Sequence, residues 1–255
     1  MRNWTMAALP LAMALTVAGC DGSLTLGNDD SKSESVADSG TSDAKGTRSY
    51  AFEGFESVTV TGPDDVTIRR GERFAVEASG PESELARLEI EADGKELKIG
   101  RKRQGFQVGR IVHKAVKISI TMPRLSAVRL TGSGDIEADA LEEDAVSATL
   151  TGSGNLKIGN LAGRRGEISI AGSGNVEVDG GTIDKGEYNI AGSGNIDAEK
   201  LVAKNLDITL AGSGDIEAGA TGEADVRVMG SGDVTLTGGA KCSTRTMGSG
   251  DVTCR

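Results

Sequence analysis

Seven short polar side chains recur at one fixed place in the second half of the chain: Asp135, Asn155, Asn175, Asn195, Asp215, Asp233 and Asp251. Each follows the tripeptide Gly-Ser-Gly, which starts at Gly132, Gly152, Gly172, Gly192, Gly212, Gly230 and Gly248, at spacings of 20, 20, 20, 20, 18 and 18 residues. Two chemistries are open to such a ladder. Asx side chains after a tight glycine turn cap their own backbone, and stacked amides hydrogen-bond one another. The alternative is calcium, because Asp215, Asp233 and Asp251 put carboxylates on successive repeats and hard cations want clustered oxygens. The spacing is not the nine-residue Gly-Asp pattern of calcium-binding β-rolls. Turn chemistry is therefore the preferred reading, with no metal assigned and no cofactor expected.

Other reactive groups are few. Cys242 lies six residues before Gly248 and Cys254 six after it. Both fall on the inward phase of the local alternation, and no His or third Cys is near enough to suggest a metal. In an oxidising compartment they are expected to form a disulfide that pins the last coil. Nine basic residues and no acid lie between Glu96 and Asp135. Within that stretch Arg101, Lys102, Arg103, Arg110 and Lys114 read either as a solvated loop or as a patch for lipid headgroups or lipopolysaccharide phosphates. His113 is the only histidine. No nucleophile motif stands beside it, and the outward acids form no singular acid/base pair. A polysaccharide-active β-helix enzyme is thus a remote alternative, and no catalytic residue is named.

The elements that must carry these groups follow from periodicity. After each Gly-Ser-Gly the chain alternates apolar and polar residues, as in Val176-Glu177-Val178, and it does so before each one, as in Ile168-Ser169-Ile170. Period 2 with β-branched residues is strand. A strand pair repeated every 18–20 residues cannot bury its apolar face alone, but stacked copies can. The sequence therefore predicts an all-β fold, a single-stranded parallel β-helix with seven Gly-Ser-Gly coils over 132–255. That stack would be roughly 29 Å long at ~4.8 Å per coil. Its core ladders would be Leu130, Leu150, Ile170, Ile190, Leu210, Val228 and Thr246, and Ile136, Leu156, Val176, Ile196, Ile216, Val234 and Val252. Residues 51–131 read as divergent first coils, with some of Phe52, Phe55 and Phe74 expected to close the open end.

The composition fits this plan. The chain has 255 residues, 37 of them glycine, only 3% aromatics, and a formal charge of −10. That charge disfavours a nucleic-acid partner. Residues 1–19 combine Arg2 with an apolar run, Met6 to Ala18, too short to span a bilayer and typical of a signal peptide. Val17-Ala18-Gly19-Cys20 resembles the bacterial lipobox, which implies lipidation of Cys20 and a membrane partner through that lipid. Residues 20–50 read as the lipidated Cys followed by a Ser-, Gly- and Asp-rich disordered tether.

Residues from about 52 onward resemble the GIN domain, also called the putative auto-transporter adhesin head domain. The resemblance rests on 55–62 (FESVTVTG), 95–99 (KELKI), 116–123 (VKISITMP) and 125–134 (LSAVRLTGSG) together with the repeated Gly-Ser-Gly. It implies a β-helical fold and a cell-envelope location, with no catalytic residues to carry over. The expected function is a lipid-anchored, non-catalytic binding or adhesin-like scaffold, with an envelope protein, a glycan or lipopolysaccharide as partner. The alternative is a structural or envelope-stress periplasmic protein without external ligand.

Overall fold

The computed structural model describes residues 44–102 and 114–255. The signal peptide, Cys20 and most of the tether lie outside the described residues, as do Arg103, Arg110 and His113. Among the described residues the fold is strand throughout except for one four-residue helix.

The repeat stacks as its spacing requires. Gly132, Gly152, Gly172, Gly192, Gly212, Gly230 and Gly248 are register partners from coil to coil. Every strand pairing within this stack is parallel. The two inward ladders form as expected: Leu130, Leu150, Ile170, Ile190, Leu210 and Val228 on one side, Ile136, Leu156, Val176, Ile196, Ile216 and Val234 on the other, all buried. Adjacent coils offer one another the same slot, which is why medium aliphatics suffice and large rings are scarce. The exception is Tyr188, a fully buried ring on the inward phase. Inward-facing Gly166 and Gly186 leave room beside it, and a Cβ on Gly186 would come within 2.7 Å of Leu206 Cδ1.

The corner shows why the tripeptide is invariant within the chain. The carbonyl of the first glycine accepts the serine N–H of the next coil, for example Ser193 N–H to Gly172 O at 2.9 Å. That same carbonyl sits where a Cβ would be: at Gly192, with φ +140°, a Cβ would lie 2.1 Å from Gly172 O. One backbone contact thus demands both positive φ and no side chain.

The N-terminal region is built differently. Its elements are β1 (Lys45–Tyr50), β2 (Ser57–Gly62), β3 (Asp65–Arg70), β4 (Ala75–Pro81), α1 (Glu82–Leu85), β5 (Leu88–Asp93), β6 (Glu96–Arg101), β7 (Lys117–Met122), β8 (Ala127–Gly132) and β9 (Asp135–Glu142). The coils are not stacked in chain order. The β2–β3 coil lies between β6–β7 on one side and β8–β9 on the other, all in parallel register. Beyond β6 and β7 the stack turns antiparallel: β5 pairs with β6, β4 with β7, and β1 with β4. Antiparallel strands thus end the parallel ladder at this end. Phe55 is fully buried and packs on Phe74 with ring centroids 4.9 Å apart, while Phe52 stacks on Tyr50 at 6.4 Å.

One boundary needs correcting. The tether was expected to run through residue 50, but Lys45–Tyr50 is a strand paired with β4 along its whole length. Its sequence shows no apolar alternation because β1 is the outermost strand, mostly exposed. It takes its place from backbone pairing.

At the other end, Lys241–Gly248 pairs with Glu223–Gly230 and Val252–Cys254 with Val234–Leu236. Here the inward positions Thr244 and Thr246 are exposed and Val252 is half-buried. Cys242 and Cys254 are joined by a disulfide, as their phase suggested.

Candidate functional surface

The Asx ladder is on the surface and its oxygens are engaged with backbone. Asp135 Oδ1 accepts both the backbone N–H and the side-chain amide of Asn155, each at 2.9 Å. Asn175 donates its amide to Asn155 Oδ1 at 3.1 Å, and Asn195 donates to Asn175 Oδ1 from backbone and side chain at 3.2 and 3.1 Å. Backbone N–H groups continue the series: Asp215 to Asn195 Oδ1 at 2.9 Å, Asp233 to Asp215 Oδ1 at 2.9 Å, Asp251 to Asp233 Oδ1 at 2.8 Å. Each Asx before Asp251 thus ties the following coil to its own. The stacked amides bond one another between coils, as at Asn155, Asn175 and Asn195, and the backbone N–H groups bonded by these side chains belong to the following coil rather than to their own. Among the described residues, no three His, Cys, Asp or Glu side chains are grouped so as to hold a metal ion, and this includes Asp215, Asp233 and Asp251.

The basic segment divides on inspection. Arg101 does not belong to an exposed patch. Its side chain is 12% exposed and lies between Asp64, fully buried, and Glu84, 7% exposed. The guanidinium donates to Asp64 through Nε at 3.0 Å and again through Nη2, to Glu84 through Nη1, and to the Lys114 carbonyl at 3.0 Å. Asp64 Oδ1 also accepts the Val116 N–H at 2.9 Å. The two carboxylates push the Arg101 pKa further above its ordinary value, the Asp64 hydrogen bond contributing most. Arg101 therefore clamps both ends of the segment it was expected to arm. Lys102 and Lys114 are exposed.

Asp64 was not singled out in the sequence. It stands where later coils have the second glycine of the tripeptide: a Cβ on Gly134 would meet Asp64 O at 2.1 Å. The signal was legible in Thr61-Gly62-Pro63-Asp64 beside Thr131-Gly132-Ser133-Gly134. The neighbouring layer is formed by β6 and β7, and the sequence between those two strands contains no Gly-Ser-Gly.

The outward faces carry ladders of charge. Lys157 bridges Glu177 at 2.7 Å and Asp179 at 3.3 Å on the next coil, and these carboxylates raise its pKa. Arg164 pairs with Asp144 and holds that carboxyl below its usual range. Two shallow hollows of about 510 and 480 Å³ lie on these faces, both floored by strand residues.

An in-register stack of short repeats, with a dry aliphatic interior and periodic polar faces, defines a parallel β-solenoid. The family follows from sequence: the chain belongs to the family described as putative auto-transporter adhesin, head GIN domain, whose model matches residues 54–240. Among solved structures, a putative adhesin from Bacteroides fragilis is 23% identical, with a TM-score of 0.76 over 84% of this chain and 98% of that one. A putative lipid binding protein from Parabacteroides distasonis is 25% identical, with a TM-score of 0.65 over 83% and 96%. A putative adhesin from Parabacteroides merdae is 20% identical, with a TM-score of 0.63 over 83% and 96%. Comparison with curated proteins gives no match.

Proposed function

We propose that the chain is a lipid-anchored, non-catalytic binding scaffold of the cell envelope, displayed so that its solenoid faces meet a ligand outside the membrane. The observation that carries this is the form of the outer surface. A serine and an Asx side chain recur at the corner of every Gly-Ser-Gly coil over an aliphatic core, which favours an extended partner over a small substrate. Family membership and neighbours named as adhesins or a lipid binding protein support a binding role. The anchor rests on Val17-Ala18-Gly19-Cys20 at the end of the apolar run. In this reading Lys102 and Lys114 remain available to anionic headgroups or lipopolysaccharide phosphates, whereas Arg101 is committed to Asp64 and Glu84.

Labelling growing cells with an alkyne fatty acid tests the anchor. The wild-type chain is expected to take the label and sediment with membranes, and Cys20→Ala to lose both properties. A Cys20→Ala chain that keeps label and membrane association would overturn the anchoring half of the reading. Binding is tested with purified envelope fractions and lipopolysaccharide at low and high salt, where saturable retention is expected and none would count against a ligand of that class.

A further inference from the structure

The strands that lead into the Gly-Ser-Gly corner carry two outward columns of opposite charge. One holds Arg165 and Lys185, the other Glu167 and Glu187. The parallel register sets Arg165 beside Lys185 and Glu167 beside Glu187. All four are exposed, and all four border the hollow of about 510 Å³, whose lining includes Ala145 and Ser147, the register partners of Arg165 and Glu167 on the preceding coil. Like charges on directly paired positions of a sheet are destabilising. Alternating the signs along each column would have removed that cost, and the sequence does not do so. Relief within the chain is partial. Lys185 reaches Asp207 at 3.4 Å, while Glu167 and Glu187 accept hydrogen bonds from Ser169 and Asn189 at 3.2 Å each.

We propose that this face is a homodimer interface, occupied by a second copy of this chain. The two copies would face each other about a two-fold axis parallel to the solenoid axis and midway between the columns. That operation exchanges the columns, so Arg165 and Lys185 of each copy meet Glu167 and Glu187 of the other, and every contact is made twice. A two-fold axis along the strands would instead oppose Arg165 to Lys185 and Glu167 to Glu187. The charge pattern therefore selects the parallel arrangement. Asn205 and Asp207 extend the match by one coil, and Glu223 and Asp225, acidic in both columns, end it. The small residues flooring the hollow leave space for long side chains of the second copy. The parallel arrangement places both N-terminal coils at the same end, which suits two copies tethered to one membrane. The inference does not depend on any external ligand.

The test is sedimentation velocity of the full chain in mild detergent, at low and high salt, with thermal unfolding of each variant as the control for folding. The wild type is expected to be a dimer at low salt that dissociates as salt rises, because exposed ion pairs are screened. R165E/K185E makes both columns acidic and E167R/E187K makes both basic. Each should weaken self-association by more than about a hundredfold, given the coupling measured for close interfacial charge pairs. Mixing the two variants should give a 1:1 dimer, and the fourfold R165E/K185E/E167R/E187K chain should again pair with itself. A wild type that stays monomeric at low salt, single-column variants that dimerise like the wild type, or a mixture that stays monomeric would each overturn the proposal.

Discussion

The N-terminal cap and the repeat stack end the same hydrophobic core by opposite means. The stack is repetitive: one corner, two inward ladders and one Asx bond per coil, all set by the neighbouring coil. The cap is made of single-use parts: an antiparallel set from β1, β4 and β5, the Phe55–Phe74 pair, and an arginine between two buried carboxylates. In the stack, the corner glycines and the aliphatic ladders are specified by like residues one coil away. In the cap, each is specified by residues distant in sequence, as Asp64 is by Arg101. Tolerance should differ accordingly. A lesion in the stack repeats no further than its neighbours but strikes backbone contacts, whereas a lesion in the cap exposes a charge.

The largest effect is expected in the stack. Gly192→Ala would put a methyl 2.1 Å from a carbonyl oxygen at positive φ. Strain and displacement together should cost about 4 kcal/mol or more, read by denaturant unfolding. A loss below about 1 kcal/mol would mean the corners are less tightly stacked than described. In the cap, Arg101→Met leaves Asp64 fully buried without its cation and Glu84 with Arg87 at 3.8 Å in its place, and should cost about 3–5 kcal/mol. The double change Asp64→Asn, Arg101→Met should recover much of that, because the buried carboxylate is then gone and Glu84 keeps Arg87. Failure to recover would show that the cluster acts through shape.

Smaller effects sharpen the contrast at the far end and in the middle. Replacing Cys242 and Cys254 by Ser should lower stability by about 3 kcal/mol for a loop of this size. Hydrogen exchange should speed up first in Lys241–Gly248 and Val252–Cys254, which have a stacked neighbour on one side. Tyr188→Phe removes a buried hydroxyl that has no hydrogen-bond partner. It should leave stability unchanged or raise it by about 1 kcal/mol, seen as a small increase in Tm. A clear loss would reveal a bond to that hydroxyl.

What was legible in the sequence follows the same division. The period of the tripeptide and the two inward ladders are local patterns repeated often enough to read, and the Cys242–Cys254 pairing follows from the phase of the two residues. Alternation over 57–61, 65–69, 74–78, 88–92, 96–99 and 115–121 also marks β2 to β7, to within three residues at each end. Their order in space was not, because nothing in 57–122 says that the later coil stacks outside the earlier one. Strand β1 was hidden because an exposed edge strand needs backbone pairing more than an apolar face. Arg101 was misread as part of an exposed patch because its neighbours in sequence are basic, while its partners, Asp64 and Glu84, lie 37 and 17 residues away.

The central claim, a solenoid displayed on the envelope to engage an outside ligand, is tested most directly by adding protease to intact and to permeabilised cells and following the domain by antibody. The account predicts loss of the domain in intact cells. Survival until the cells are permeabilised would contradict it and place the solenoid inside the envelope, away from any external partner.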